Sequence, residues 1–114
     1  MDTETFNKVV EEQIEICKET LGLKEKQYAP GRDRLEQFKK GDAIMHRTPL
    51  QTLSGMLFKH TTKLYDMLEG VIKDPSLEQW NETIKDHINY LLLAKGLVVE
   101  ERRINYDNKR PTII

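Results

Sequence analysis

The stretch WNETIKDHINYLLLAKGLVV, residues 80–99, decides how this chain is read. At about 100° per residue it forms one helix with two apolar faces. Leu77, Trp80, Ile84, Ile88, Leu91 and Val98 share a stripe expected to face the core, while Leu93 and Leu97 point roughly the opposite way. Glu82, Asp86 and Asn89 fall on the Leu93 side. A helix that is apolar all round is normally buried all round, so the Leu93/Leu97 face predicts a second interface, and self-association through helix 76–101 is expected. Carboxylates set into such a face must be paired, protonated or bound to a cation. The plainer alternative is that they face water at the start of the helix.

Working outward, Asp74-Pro75-Ser76 restarts the chain into this helix, which ends near Glu101. Thr48-Pro49 predicts the start of the preceding one, since threonine caps and proline is tolerated at the first helical position. That helix is expected to reach about Ile72, with a core stripe of Leu50, Leu53, Leu57, Leu64, Leu68 and Val71 and a flank of Phe58, Tyr65 and Ile72. A short helix from about Arg32 to Ile44 turns Leu35, Phe38 and Ile44 inward. The first helix runs from Thr3 to Leu21, capped by Asp2 or Thr3 and ended by Gly22, with Phe6, Val10, Ile14, Cys17 and Leu21 on one face. Almost nothing alternates with period two. The expected fold is all-α, a four-helix bundle-like domain over residues 1–101, followed by an extended arm or flexible tail over 102–114.

The chain's 114 residues fit one core. A formal charge of −1 demands neither nucleic acid nor an acidic membrane as partner. Charge is nevertheless segregated: residues 1–23 and 74–101 are acidic, and 24–47 and 102–114 are basic. Cys17 is the one cysteine, so no internal disulfide forms, and a reducing cytoplasm is the expected setting. There is no signal-peptide pattern and no apolar run long enough to span a membrane.

Several groups have the residue types of a site. Arg32 and Arg34, beside the Pro30-Gly31 turn and a helix start, suit an anion because the guanidinium fork and free backbone N–H groups both favour one. The competing reading is that such an arginine only fastens the loop to the acidic helices. Glu12 and Glu15, one turn apart, have a divalent-cation spacing but lie opposite the apolar stripe, as a solvated face would. Asp66 and Glu69 on one helix and Glu82 and Asp86 on the next could chelate Mg²⁺ if the two pairs face each other. His60 falls between Leu57 and Leu64, where a hydrogen-bonded core histidine is more common than a ligand. No zinc-ligand, nucleophile-elbow or phosphate-loop pattern occurs.

Lys26-Gln-Tyr28-Ala, Asp33-Arg34-Leu-Glu-Gln-Phe38, Lys59-His60 and Asp86-His87-Ile-Asn89-Tyr90-Leu-Leu-Leu together resemble small phage and prophage proteins of the nucleotide-modification-associated all-α type. The Asp-x-x-Asn-Tyr run on a long apolar helix is also similar to the last helix of MazG-like nucleotide pyrophosphohydrolases. Those enzymes bring an ExxE pair and an ExxD pair together, and this chain has no clean ExxD downstream. The resemblance implies a phage-encoded protein of the host cytoplasm that binds a nucleotide or related phosphorylated small molecule. It would act either by hydrolysis with Mg²⁺ or by sequestering the ligand, for instance against nucleotide-based defence signalling. The expected ligand-binding residues are Lys26, Tyr28, Arg32, Arg34, Lys59 and Asn89, with Tyr28 stacking on a base, and Asp86 and Glu82 as the metal ligands. The rival reading is a protein–protein interaction module that uses helix 76–101 and the C-terminal arm.

Overall fold

A computed structural model describes residues 1–22 and 33–105. Among them are four helices and no strand: α1 (Thr3–Leu21), α2 (Glu36–Met45), α3 (Pro49–Leu68) and α4 (Leu77–Glu101). Their ends follow from capping chemistry. The Asp2 carboxylate accepts from the Thr5 N–H at 2.8 Å, and Gly22, at φ 69°, closes α1 in the left-handed conformation that glycine adopts without a steric penalty. Thr48 with Gln51 and Ser76 with Gln79 form reciprocal capping boxes at the starts of α3 and α4. α2 has no side-chain cap and starts at Glu36 rather than Arg32. α3 stops at Leu68, before the expected Ile72, where Gly70 turns the chain at φ 78°.

α4 is the axis of the molecule. α3 runs antiparallel to it: Thr61 Oγ1 lies 3.2 Å from His87 Nε2, the His60 ring lies 5.0 Å from that of Tyr90, and Leu53 shares a core with Leu97. α1 packs on the other side and runs parallel, with Gln13 Nε2 donating to the Asn81 carbonyl and Asn89 Nδ2 to the Cys17 carbonyl. α2 folds back on α3 and carries Phe38, fully buried, into the Leu53–Leu97 cluster. The contact at Gly41 is so close that a Cβ there would overlap the Thr52 side chain. Lys39 then ties α2 to α4, pairing with Asp33 at 2.8 Å and with Glu100. The Asp33 carboxylate is held below its ordinary pKa by the hydrogen bonds from Lys39 and the Leu35 N–H, and the same carboxylates hold Lys39 above its own.

The two faces of α4 are the reverse of the expectation. Leu97 is 5% exposed, whereas Leu77 is 73% and Leu91 57% exposed; Leu93 packs against the core and Trp80, Ile84, Ile88 and Val98 are half-buried. The Leu93/Leu97 side wins because α2 and α3 both pack there, bringing Phe38 and Leu53. Self-association through Leu93 and Leu97 therefore loses its basis, since their partners are in the same chain. α1 differs in the same way: Cys17 is buried and Leu21 half-buried, but Phe6, Val10 and Ile14 are exposed. Leu68 and Val71 of the expected α3 stripe are exposed too, while Leu53 and Met67 are buried. Among the described residues no helix is long and apolar enough to cross a membrane.

Candidate functional site

Where α4 passes between the end of α1 and the start of α2, the three elements leave a cleft of about 470 Å³. Thr20, Arg34, Lys40, Asp86, Asn89 and Tyr90 are among its lining residues. Three of the residues expected from sequence, Arg34, Asp86 and Asn89, are thus brought together. Two others are not: Lys59 and Glu82 are exposed and do not line the cleft. Lys26, Tyr28 and Arg32 lie outside the described residues.

Asn89 has the strongest chemical signature of the group. It is 6% exposed. Its Nδ2 donates to the Cys17 carbonyl at 3.3 Å, which fixes the amide so that Oδ1 is left buried with no partner among the described residues. Leaving a buried acceptor unmet costs about 1–3 kcal/mol, so a native site of this kind calls for a further donor, such as a water or a ligand. Thr83 Oγ1, two turns earlier on α4, is also buried and unpartnered but does not line the cleft.

Asp86 is held from two sides. His60 Nδ1 lies 3.6 Å from Asp86 Oδ2, and Lys85 Nζ 3.5 Å from Oδ1. Tyr90 stacks at a tilt on the His60 ring. Burial raises the Tyr90 phenol above its ordinary pKa, and the Asp86 charge adds to the shift, so at neutral pH it is a hydroxyl able to donate or accept. Arg34 Nη2 donates to the Leu21 carbonyl at 2.6 Å, satisfying a backbone acceptor in the last turn of α1. At the rim of the cleft this arginine therefore fastens the segment before α2 to the end of α1.

The expected metal pair has a protein cation between its members. Lys85 Nζ, on a largely buried side chain, lies 3.7 Å from Glu82 Oε1 and 3.5 Å from Asp86 Oδ1. The antiparallel register puts Asp86 level with His60 and leaves Asp66 and Glu69 about one and a half and two and a half turns away, at the end of α3. Glu12 is exposed, and Glu15 pairs with Lys18 along α1. Among the described residues no group of three His, Cys, Asp or Glu is placed to hold a metal ion.

Sequence reasoning missed Tyr90 and Lys40 as lining residues. Tyr90 had a legible signal: it adjoins Asn89 and follows Asp86 by one helical turn, on the side where Leu93 lies. Lys40 belongs to the basic stretch 24–47, but its spacing did not single it out, because its place depends on how α2 docks. Compared with models of protein families, with curated proteins and with solved structures, the chain matches none.

Proposed function

We propose that this protein binds a nucleotide or a related phosphorylated small molecule in the α1–α2–α4 cleft, and that it holds the ligand rather than hydrolysing it. The observation that carries this reading is that Asn89, a residue of the cleft wall, has a buried Oδ1 without a partner among the described residues. An acceptor in that position selects a donor, such as an exocyclic amine, a ring N–H or a sugar hydroxyl. Asp86 and the Tyr90 hydroxyl add further polar contacts on the same wall, and Arg34 and Lys40 offer positive charge for a phosphate. Asp33, Glu36 and Asp86 also line the cleft, so a ligand with one or two negative charges suits it better than a triphosphate.

Sequestration is favoured over hydrolysis by Lys85. An ammonium between Glu82 and Asp86 already supplies the charge that Mg²⁺ would bring, and a pyrophosphohydrolase needs the ion to activate water. The resemblance to nucleotide-modification-associated and MazG-like proteins points to the same ligand class, in the cytoplasm of a phage-infected bacterium.

The test is thermal unfolding against nucleosides, monophosphates, triphosphates and cyclic dinucleotides, each with and without Mg²⁺, with product analysis of every hit. A ligand at 100 times its Kd stabilises the fold by about 2.7 kcal/mol. A shift with the ligand recovered intact is expected. Release of pyrophosphate would replace sequestration by catalysis, and no shift across the panel would remove the reading.

A further inference from the structure

Among the described residues, one face of the molecule has no second layer. On α4, Asp86, Asn89 and Leu93 look toward the cleft and α2, Asn81 and Asn89 toward α1, and His87 and Tyr90 toward α3. The sector left over, opposite Asp86 and Leu93 at about 100° per residue, is apolar from Leu77 to Leu91 and ends at the exposed Lys95: Leu77 and Leu91 are exposed, with Ile84 and Ile88 half-buried between them. The helices on either side continue it. Val10 and Ile14 of α1, on the side away from Glu12 and Glu19, and Tyr65 and Leu68 of α3, on the side away from α2, are all exposed. Among the described residues, α2 alone covers the α1–α4–α3 layer, and it does so on the cleft side.

We propose that this bare face is a homodimer interface, covered by the same face of a second copy. Three observations select that occupant. The first is area: the uncovered parts of Val10, Ile14, Tyr65, Leu68, Leu77 and Leu91 come to roughly 600 Å² per copy, at the upper limit of patches on ordinary monomers. With the half-buried floor this approaches the about 800 Å² that each partner contributes to a standard interface. The second is architecture. Domains bury an apolar helix face against another layer, and a two-fold axis supplies that layer from an identical chain at no cost in new sequence. The third is charge. α1, which borders the face, is acidic as a whole, with Glu4, Glu11, Glu12, Glu15 and Glu19 against Lys8 and Lys18, which disfavours an anionic membrane surface as the occupant.

The interface lies on the opposite side of α4 from the cleft, so dimerisation and ligand binding stand or fall separately. The experiment is sedimentation equilibrium of the full chain over a range of micromolar concentrations, for wild type, for Leu91→Glu and for the cleft-side control Glu82→Gln. Wild type and the control are expected at twice the chain mass of 13.4 kDa. Leu91→Glu should weaken association about 100-fold or more, because a two-fold axis buries the new charge in both copies. Circular dichroism that retains the wild-type helical signal separates dissociation from misfolding. If Leu91→Glu fails to fold, the wild-type mass decides: a monomer throughout the range overturns the proposal, as does a Leu91→Glu protein that remains a folded dimer.

Discussion

Asn89→Leu should leave the ligand-free protein as stable as wild type or more so, while abolishing its response to ligand. The substitution keeps the side chain's approximate size, removes the orphaned Oδ1 and deletes the Nδ2 bond to the Cys17 carbonyl. Relief of the unmet acceptor is worth about 1–3 kcal/mol and loss of one hydrogen bond about 0.5–1.5 kcal/mol. The Cys17 carbonyl sits inside α1 and keeps its helical partner, so no new orphan is made. The balance is a gain of about 1 kcal/mol, or roughly 5 °C in Tm for a domain of this size. The assay is thermal and urea unfolding at one fixed protein concentration, because self-association would make Tm concentration-dependent, followed by the nucleotide panel. A loss of more than about 2 kcal/mol in the ligand-free variant would refute the reasoning: Asn89 would then be a structural amide with its acceptor met by water, and the cleft would lose its main claim to a ligand.

Other outcomes follow from the packing and the ion pairs. Leu97→Ala should cost about 2–5 kcal/mol and Leu77→Ala, read by urea unfolding below the dimerisation concentration, less than about 0.5 kcal/mol; equal effects would reverse the assignment of the α4 faces. Gly41→Ala should destabilise by about 1–3 kcal/mol through overpacking against Thr52, despite alanine's better helix propensity, and Thr52→Ala in the same chain should recover part of the loss. The Lys39 clamp sets two pH limits. Asp33 is depressed in the folded state, so its contribution is present above the ordinary carboxylate pKa of about 3.9 and is lost as pH falls through the lower folded value. Lys39 and Tyr90 are raised, so theirs is complete below their unfolded pKa values, about 10.4 and 10, and is lost as pH rises through the higher folded ones. Stability measured against pH should show the alkaline loss reduced in Tyr90→Phe.

Helix ends were legible from the sequence because capping is local chemistry. Asp2, Gly22, Thr48-Pro49 and Ser76 stand within a few residues of the backbone groups they satisfy, and the bounds of α1 and α4 follow from them. Which side of a helix faces inward is not local. α4 carries apolar residues on both sides, and periodicity ranks the longer stripe first, yet the shorter Leu93/Leu97 stripe is the buried one because Phe38 and Leu53 arrive from α2 and α3. The Asp86/Asn89 part of the cleft was visible as polar residues beside Leu93 on an otherwise apolar helix. The Lys85 bridge was not, since a lysine between two acids at i−3 and i+1 has the same spacing as a solvated helix face.

Cys17 lies sealed between α1 and α4, one carbonyl away from the Asn89 amide. Being the one thiol in the chain, it makes the protein its own clock for the separation of those two helices. A thiol reagent added to the native protein reacts only in molecules where α1 has lifted, so its rate counts those openings without any introduced label. A ligand seated against Asn89 would slow that clock, and the slowing would register occupancy of the cleft through an atom that the ligand never touches.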